Sequence, residues 1–464
     1  MIEISPHTVA QLLYLVHSDP EELQEALGEL RAPDIAEALK ELPPDAAAKV
    51  MASLPFDLAV HVFDEPELTR HRCAIIQRID PRRVGPLIEE MSSDQQADLF
   101  REVPHEERSR LLATVSESTR STLRKLLKYP PETAGGIMTT EFASVPSDWT
   151  VGRALMLISE VGGRKETVYA IYIVDPATQE LVHVVSLREL LTAHRDDNVL
   201  DVGRRRPPLT VTADIDREEA ARLISKYNLL AIPVIDDQRR MLGIVTVDDV
   251  IDALVEESTE DVQRFGGMEA LDAPYMEIGF IEMIRKRAGW LCALFLSEML
   301  TATAMQRFQG EIERAAVLAM FIPLVMSSGG NSGSQATSLV IRALALKELS
   351  LRDWWRIALR ELPTGLLLGG ILGVIGFVRI VLWQNIHIFN YGPHYMLLAI
   401  TVGFALVGIV AFGSLAGSML PFLLKRIGFD PASASAPFVA TLVDVTGLVI
   451  YFSVAFLILH GTLL

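Results

Sequence analysis

The chain of 464 residues has few groups that hold soft metals and a deficit of positive charge. Its two cysteines, Cys73 and Cys292, fall in regions of very different character, which excludes a disulfide framework and reads as reduced thiols. Lys and Arg number 42 against 59 Asp and Glu, and the formal net charge of −17 excludes nucleic acid as a partner. Motifs of soluble catalysis are missing: there is no G-x-x-x-x-G-K-[ST] phosphate loop and no H-E-x-x-H helix, so no enzyme activity is expected. The opening MIEISPHTVAQLLYLVHSDPEELQEAL has no basic leader with a small-residue cleavage site. It reads as an acidic amphipathic helix, so the long N-terminal portion is expected to stay in the cytoplasm.

Hydrophobicity is abundant, half the residues, and it is concentrated toward the C-terminus. Up to about Arg287 the chain is charged and punctuated by proline; from Ala288 long apolar segments alternate with short loops. Five segments are long enough to cross a bilayer: Ala288 to Arg307, Ala315 to Leu346, Leu362 to Trp383, Met396 to Leu424 and Ala432 to Leu459. Arg285, Lys286 and Arg287, then Lys347, Arg352, Arg356 and Arg360, then Lys425 and Arg426 mark alternate loops as cytoplasmic. The expectation is a multi-pass protein of the plasma (inner) membrane with its N-terminus inside and its C-terminus outward.

The first ~130 residues read as short helices started by Pro43, Pro44 and Pro55. Leu39, Leu42, Val50, Leu54, Leu58 and Val62 recur at helical spacing, as in stacked hairpins of a small superhelix. Asp57, Asp94 and Asp98 are expected to be solvated acids there, with a cation-bridging role for one of them as the alternative. A duplication follows. IYIVDPATQELVHVVSLRELL parallels IPVIDDQRRMLGIVTVDDVID, with Asp175 matching Asp236, each unit reading strand, turn, strand, helix. The pair resembles tandem CBS domains, in which a Thr and an Asp at the positions of Thr246 and Asp249 often contact an adenosine nucleotide, here ATP. Thr246 capping the next helix, with Asp249 in its first turn, is the equal alternative.

The helix that follows is dense in acids. Asp249, Asp252, Glu256 and Glu260 share a face, with Asp248, Glu257 and Asp261 beside them, and like charges at that spacing repel unless a cation intervenes. Oxygen ligands without His or Cys suit Mg²⁺ or Ca²⁺. Two features stand out in the membrane segments. The second reads FIPLVMSSGGNSGSQATSLVIRALAL, where Pro323 is expected to interrupt helical hydrogen bonding and the small polar run can either pack helices closely or face a hydrated ion. The fifth, PASASAPFVATLVDVTGLVIYFSVAFLIL, carries one carboxylate, Asp444, at membrane depth, where a charge is costly and normally faces a bundle interior or a watery path.

Over essentially its whole length the chain resembles the MgtE family of magnesium channels and transporters, on the strength of those two motifs. The resemblance implies a multi-domain protein: an all-α polytopic membrane domain with a cytoplasmic helical superhelix and an α/β CBS pair. The implied divisions are 1–132, the CBS domains 133–200 and 201–261, a connecting plug helix 262–284, and a pore domain 285–464. It implies a homodimer in the lipid bilayer, with Asp444 binding hydrated Mg²⁺ in a pore lined by Gly329, Gly330, Asn331, Ala436 and Pro437. It also implies a cytoplasmic Mg²⁺ sensor of Asp249, Asp252, Glu257, Glu260, Asp261, Asp216 and Glu218. Many relatives have Asn or Gly where this chain has Ala436, so only a backbone carbonyl could serve there. Two other readings remain: a CBS-regulated sensor without transport, and a rhomboid-type intramembrane protease with Ser332 of Gly330-Asn-Ser-Gly333 as nucleophile.

Overall fold

The computed structural model describes residues 6–18, 20–162, 165–203 and 206–463. They form two units, Met1–Leu254 and Val255–Leu464. In the first, ten α-helices of 8 to 13 residues run from Pro6 to Leu126 among the described residues. Pro33, Pro44 and Pro81 sit in first turns, where a missing N–H is harmless and φ is preset, and Pro43 and Pro55 occupy caps. Leu39, Leu42, Val50, Leu54 and Val62 are buried, as their spacing predicts.

One buried cation organises this half. Arg72 is fully inaccessible; its Nε donates to the Phe63 carbonyl (2.8 Å), and its Nη2 to the carbonyls of Asp64 (2.8 Å) and Glu65 (2.9 Å) and to Gln95 Oε1 (2.7 Å). Arg72→Met is expected to leave those three carbonyls without their donor and to cost on the order of 3 kcal/mol. Chemical denaturation of the full chain in detergent would measure the loss.

The duplication is present as two three-stranded sheets. In each, a parallel pair is followed by an antiparallel one: β1 (Phe142–Pro146), β2 (Thr167–Val174) and β3 (Leu181–Ser186), then β4 (Val211–Thr212), β5 (Ala231–Ile235) and β6 (Met241–Thr246). Ala170 pairs with Ser186 as Ala231 pairs with Thr246. The matched aspartates are turn formers. Asp175 Oδ1 accepts from the N–H groups of Ala177 and Thr178, and Asp236 Oδ1 from those of Gln238 and Arg240. The repeats pack together through Tyr172, Leu181, Ala231 and Ile244.

An acidic helix, Val247–Phe265, runs unbroken past residue 261. The plug helix expected over 262–284 is therefore not a separate element. Gly267, with φ +77°, ends the acidic helix; turns follow, and the next helix begins at Phe280. In the second unit five helical stretches are long and apolar enough to cross a membrane: Phe280–Arg307, Ala316–Ala345, Leu351–Asn385, Tyr395–Arg426 and Ala436–Leu459. Pro323 does not interrupt the second; it lies in the first turn of the helix Ile322–Ala345, after a break that follows Ala316–Ala319. Small residues bring the spans together. A Cβ on Gly333 would lie 3.0 Å from the Gly413 carbonyl and 2.8 Å from Val439, and one on Gly373 2.8 Å from the Gly403 carbonyl. Thr337 Oγ1 donates to the Gly417 carbonyl across the same seam (2.8 Å). Gly373→Val should therefore force the third and fourth spans apart and cost about 1–3 kcal/mol, read as a lower melting temperature in detergent.

Candidate functional site

Carboxylates gather in the first unit from five places in the sequence. Arg72 fixes the backbone at Asp64 and Glu65, at the end of the helix Phe56–Asp64. Asp94 begins the helix Ser93–Glu102, which is tied to the strand ahead by Ser93 Oγ accepting from the Thr140 N–H (2.8 Å). Glu141 and Glu166 immediately precede β1 and β2, and Asp249 and Asp252 lie in the first turns of the acidic helix.

Contrary to the expectation of a solvated acid, Asp94 is buried, and its Oδ1 has no hydrogen-bond donor. Burial, then the charges of Asp249, Asp64 and Glu166, raises its pKa well above the usual range. Asp57 is exposed as expected, and Asp98 is half-buried against Arg101 (2.5 Å). Burial first, and then neighbouring acids, lifts Glu65 and Glu166 to about 7; Glu141 also reaches about 7, burial outweighing Lys165. Asp249 rises to about 6, burial outweighing its hydrogen bond from Thr246, and Asp252 is raised by burial and by Glu67 and Asp248. Such a cluster retains negative charge near neutral pH only at an electrostatic cost.

Of the residues assigned from sequence, Asp249 and Asp252 join this cluster. Asp216 instead caps the helix Arg217–Tyr227, its Oδ1 accepting from the Glu218 N–H (2.8 Å), and Glu218 lies in that helix's first turn. Thr246 gives both its N–H and its hydroxyl to Asp249 Oδ2, which ties the end of β6 to the first turn of the acidic helix. Farther along the acidic helix, Glu257, Glu260 and Asp261 approach the loop between the fourth and fifth spans. Arg264 bridges Glu260 (2.7 Å) and Asp430, and burial together with Asp430 and Glu257 pushes Asp261 to about 6. The Arg264–Asp430 tie, between residues 166 apart, has no signature in the sequence.

Asp444 is half-buried in the fifth span. Gly329 lies against Val443, Gly330 against Ala440 and Gly447 against Met326, so the second and fifth spans run antiparallel and Asp444 stands at the depth of Ser327 and Ser328. Gly329 and Gly330 are buried and serve this packing, whereas Asn331 is exposed on a stripe with Ser327, Gln335 and Ser338. Ala436 and Pro437 begin the fifth span, and the Ala436 carbonyl accepts from Ser334 Oγ (3.4 Å). Ser332 is buried with its hydroxyl 2.7 Å from Ser414 Oγ; among the described residues no histidine is its partner, and the protease arrangement does not form there. The sequence reading passed over Glu298, a mid-span acid of the first span whose charge acts on Asp444. Its signal was an acid within the apolar run LCALFLSEML.

Among the described residues no three His, Cys, Asp or Glu side chains converge into a closed ligand set. Paired or loosely gathered carboxylates suit an ion that keeps most of its water, as Mg²⁺ does. Five apolar helices, of which the first and the fifth carry a mid-span acid, beside a CBS pair and an acidic helix, define a membrane transporter of divalent cations. Family descriptions agree: "Divalent cation transporter" matches residues 322–454, "MgtE intracellular N domain" 30–132, and "CBS domain" 134–196 and 199–256. The magnesium transporter MgtE of Thermus thermophilus is 40% identical over 80% of this chain and 80% of its own, and that of Enterococcus faecalis 35% over 72% and 70%. The chain belongs to the MgtE family of magnesium transporters. Among solved structures, the soluble part of a magnesium transporter is 29% identical and covers 54% of this chain and 98% of its own at a TM-score of 0.49. The cytosolic domain of the Mg²⁺ channel MgtE in complex with ATP is 31% identical and covers 53% and 99%, also at 0.49.

Proposed function

We propose that this protein mediates Mg²⁺ uptake across the plasma membrane as a homodimer, with hydrated Mg²⁺ passing Asp444. The observation that carries this reading is a carboxylate, without hydrogen bond or ion pair among the described residues, one third of the way along the fifth span and level with an exposed polar stripe. An inside-negative potential favours entry by ~4.6 kcal/mol per divalent ion per 100 mV, so no ATP hydrolysis is required. The soluble unit faces the cytoplasm and the C-terminus faces outward, in keeping with basic residues at Arg285–Arg287 and Lys425–Arg426.

Cytoplasmic Mg²⁺ closes the path by neutralising the gathered acids. Asp94, Asp249 and Asp252 are its principal ligands in the first unit, and Glu257, Glu260 and Asp261 along the same helix extend the sensor, with Arg264 and Asp430 coupling that end of the helix to the entry of the fifth span. Asp216 and Glu218 contribute from the second CBS repeat. When Mg²⁺ leaves, the acids repel one another and the gate loosens. ATP fits as a modulator. With Thr246 on Asp249 Oδ2, Asp249 Oδ1 can accept from a ribose hydroxyl. Flux of Mg²⁺ into proteoliposomes at low and millimolar Mg²⁺ on the cytoplasmic face tests the whole reading. Flux suppressed by cytoplasmic Mg²⁺ supports it, whereas ligand binding without flux under any condition means a sensor that does not transport.

A further inference from the structure

Glu298 is a second carboxylate at membrane depth, and the packing of the first and fifth spans sets its level. Trp290 Nε1 donates to Ser435 Oγ (3.1 Å), and the Trp290 and Phe438 rings lie 6.2 Å apart. Odd-numbered spans run in the same direction through a bilayer. Counted from this contact at ~1.5 Å per residue, Glu298 rises about 12 Å, and Asp444 about 9 Å above Phe438 and about 13 Å above Ser435. The two acids therefore share one depth, and the Glu298 charge acts on Asp444.

Among the described residues no basic side chain pairs with either acid. Neither acid has a hydrogen bond or ion pair among the described residues. The fifth span contains no Lys or Arg, and along the first span Arg287 and Arg307 lie about 16 and 13 Å from Glu298. Independently of the acids, exposed Ser327 at this depth opens a polar stripe that continues along the second span through Asn331, Gln335 and Ser338, a surface suited to a hydrated ion rather than lipid.

We infer that Glu298 is a second outer-sphere ligand of the permeating ion and sets the preference for divalent over monovalent cations; this rests on the ion path placed at Asp444. The reason is charge balance. Two carboxylates at membrane depth are neutralised by one divalent ion, whereas one monovalent ion leaves a net negative charge there. Removing Glu298 makes a monovalent ion sufficient.

The test is Mg²⁺ uptake by the full chain in proteoliposomes, with K⁺ as competitor, for the native protein, E298Q, E298D and D444N. E298Q should raise the Mg²⁺ concentration for half-maximal uptake about tenfold and lower the Mg²⁺/K⁺ preference by a similar factor, while E298D stays within about twofold of native. Unchanged half-saturation and preference in E298Q overturn the inference. So does a fall in maximal flux alone that E298D shares, because that pattern belongs to a residue that only packs. Native-like uptake in D444N would instead overturn the ion path itself, whatever E298Q does.

Discussion

Asp444→Asn is expected to reduce Mg²⁺ flux by about a hundredfold or more while leaving the protein folded. The amide keeps the size of the side chain and removes its charge. A divalent ion held through one water, at roughly 5 Å from a carboxylate, gains on the order of several kcal/mol at an effective dielectric near 20, and loss of about half of that is a hundredfold. Asp444 contributes no ion pair that folding requires among the described residues, so elution from a sizing column and the melting temperature should stay near native. Flux by ²⁸Mg or a Mg²⁺-sensitive dye is the measurement, and native flux in the variant would remove Asp444 from the path.

The second large effect concerns the sensor. Asp94→Asn together with Asp249→Asn should leave the protein conducting at cytoplasmic Mg²⁺ that silences the native form, and should abolish the stabilisation that Mg²⁺ confers. The pH dependence has a definite sign. Glu65, Glu141 and Glu166 carry pKa values raised to about 7 and Asp249 to about 6, above their unfolded values near 4. Folding therefore binds protons, and the stability these groups contribute is complete below about pH 4 and lost as pH rises toward 7. Arg72 opposes the shift of Glu65 and Lys165 that of Glu141 without cancelling them. In Mg²⁺-free buffer the native melting temperature should fall between pH 5 and 8, and saturating Mg²⁺ should restore it at pH 8. Each kcal/mol corresponds to roughly 2–4 °C for a unit of this size. The double variant should melt higher than native without Mg²⁺ at pH 8 and gain little when Mg²⁺ is added. A native melting temperature flat in both pH and Mg²⁺ would show that these acids do not sense the ion.

Much of the architecture was legible because its signals are local. Apolar length located the five spans, although the third begins near Leu351 rather than Leu362, since the charged turn LRDWWR is helical too. Repetition of strand, turn and strand exposed the CBS pair, and Asp175 and Asp236 occupy equivalent turns because each can accept from two nearby N–H groups. Proline marked the short helices by where it cannot donate.

Charge in an apolar run and the periodicity of acids on one helix were enough, from the chain alone, to single out Asp444, Asp249 and Asp252, since both patterns are energetically costly without a cation. What they could not specify is which acids meet. Asp94 looks like any surface aspartate in DQQADLF, and only its placement among Asp64, Glu166 and Asp249 buries it. Gly329 and Gly330 read from the sequence as lining a path, and only the folded chain shows that they are also buried against Val443 and Ala440. Glu298 acquires meaning from a neighbour 146 positions away, through a tryptophan that sets the register of two helices. Electrostatic energy depends on distance and burial, which residues remote in the chain share only after the backbone has folded.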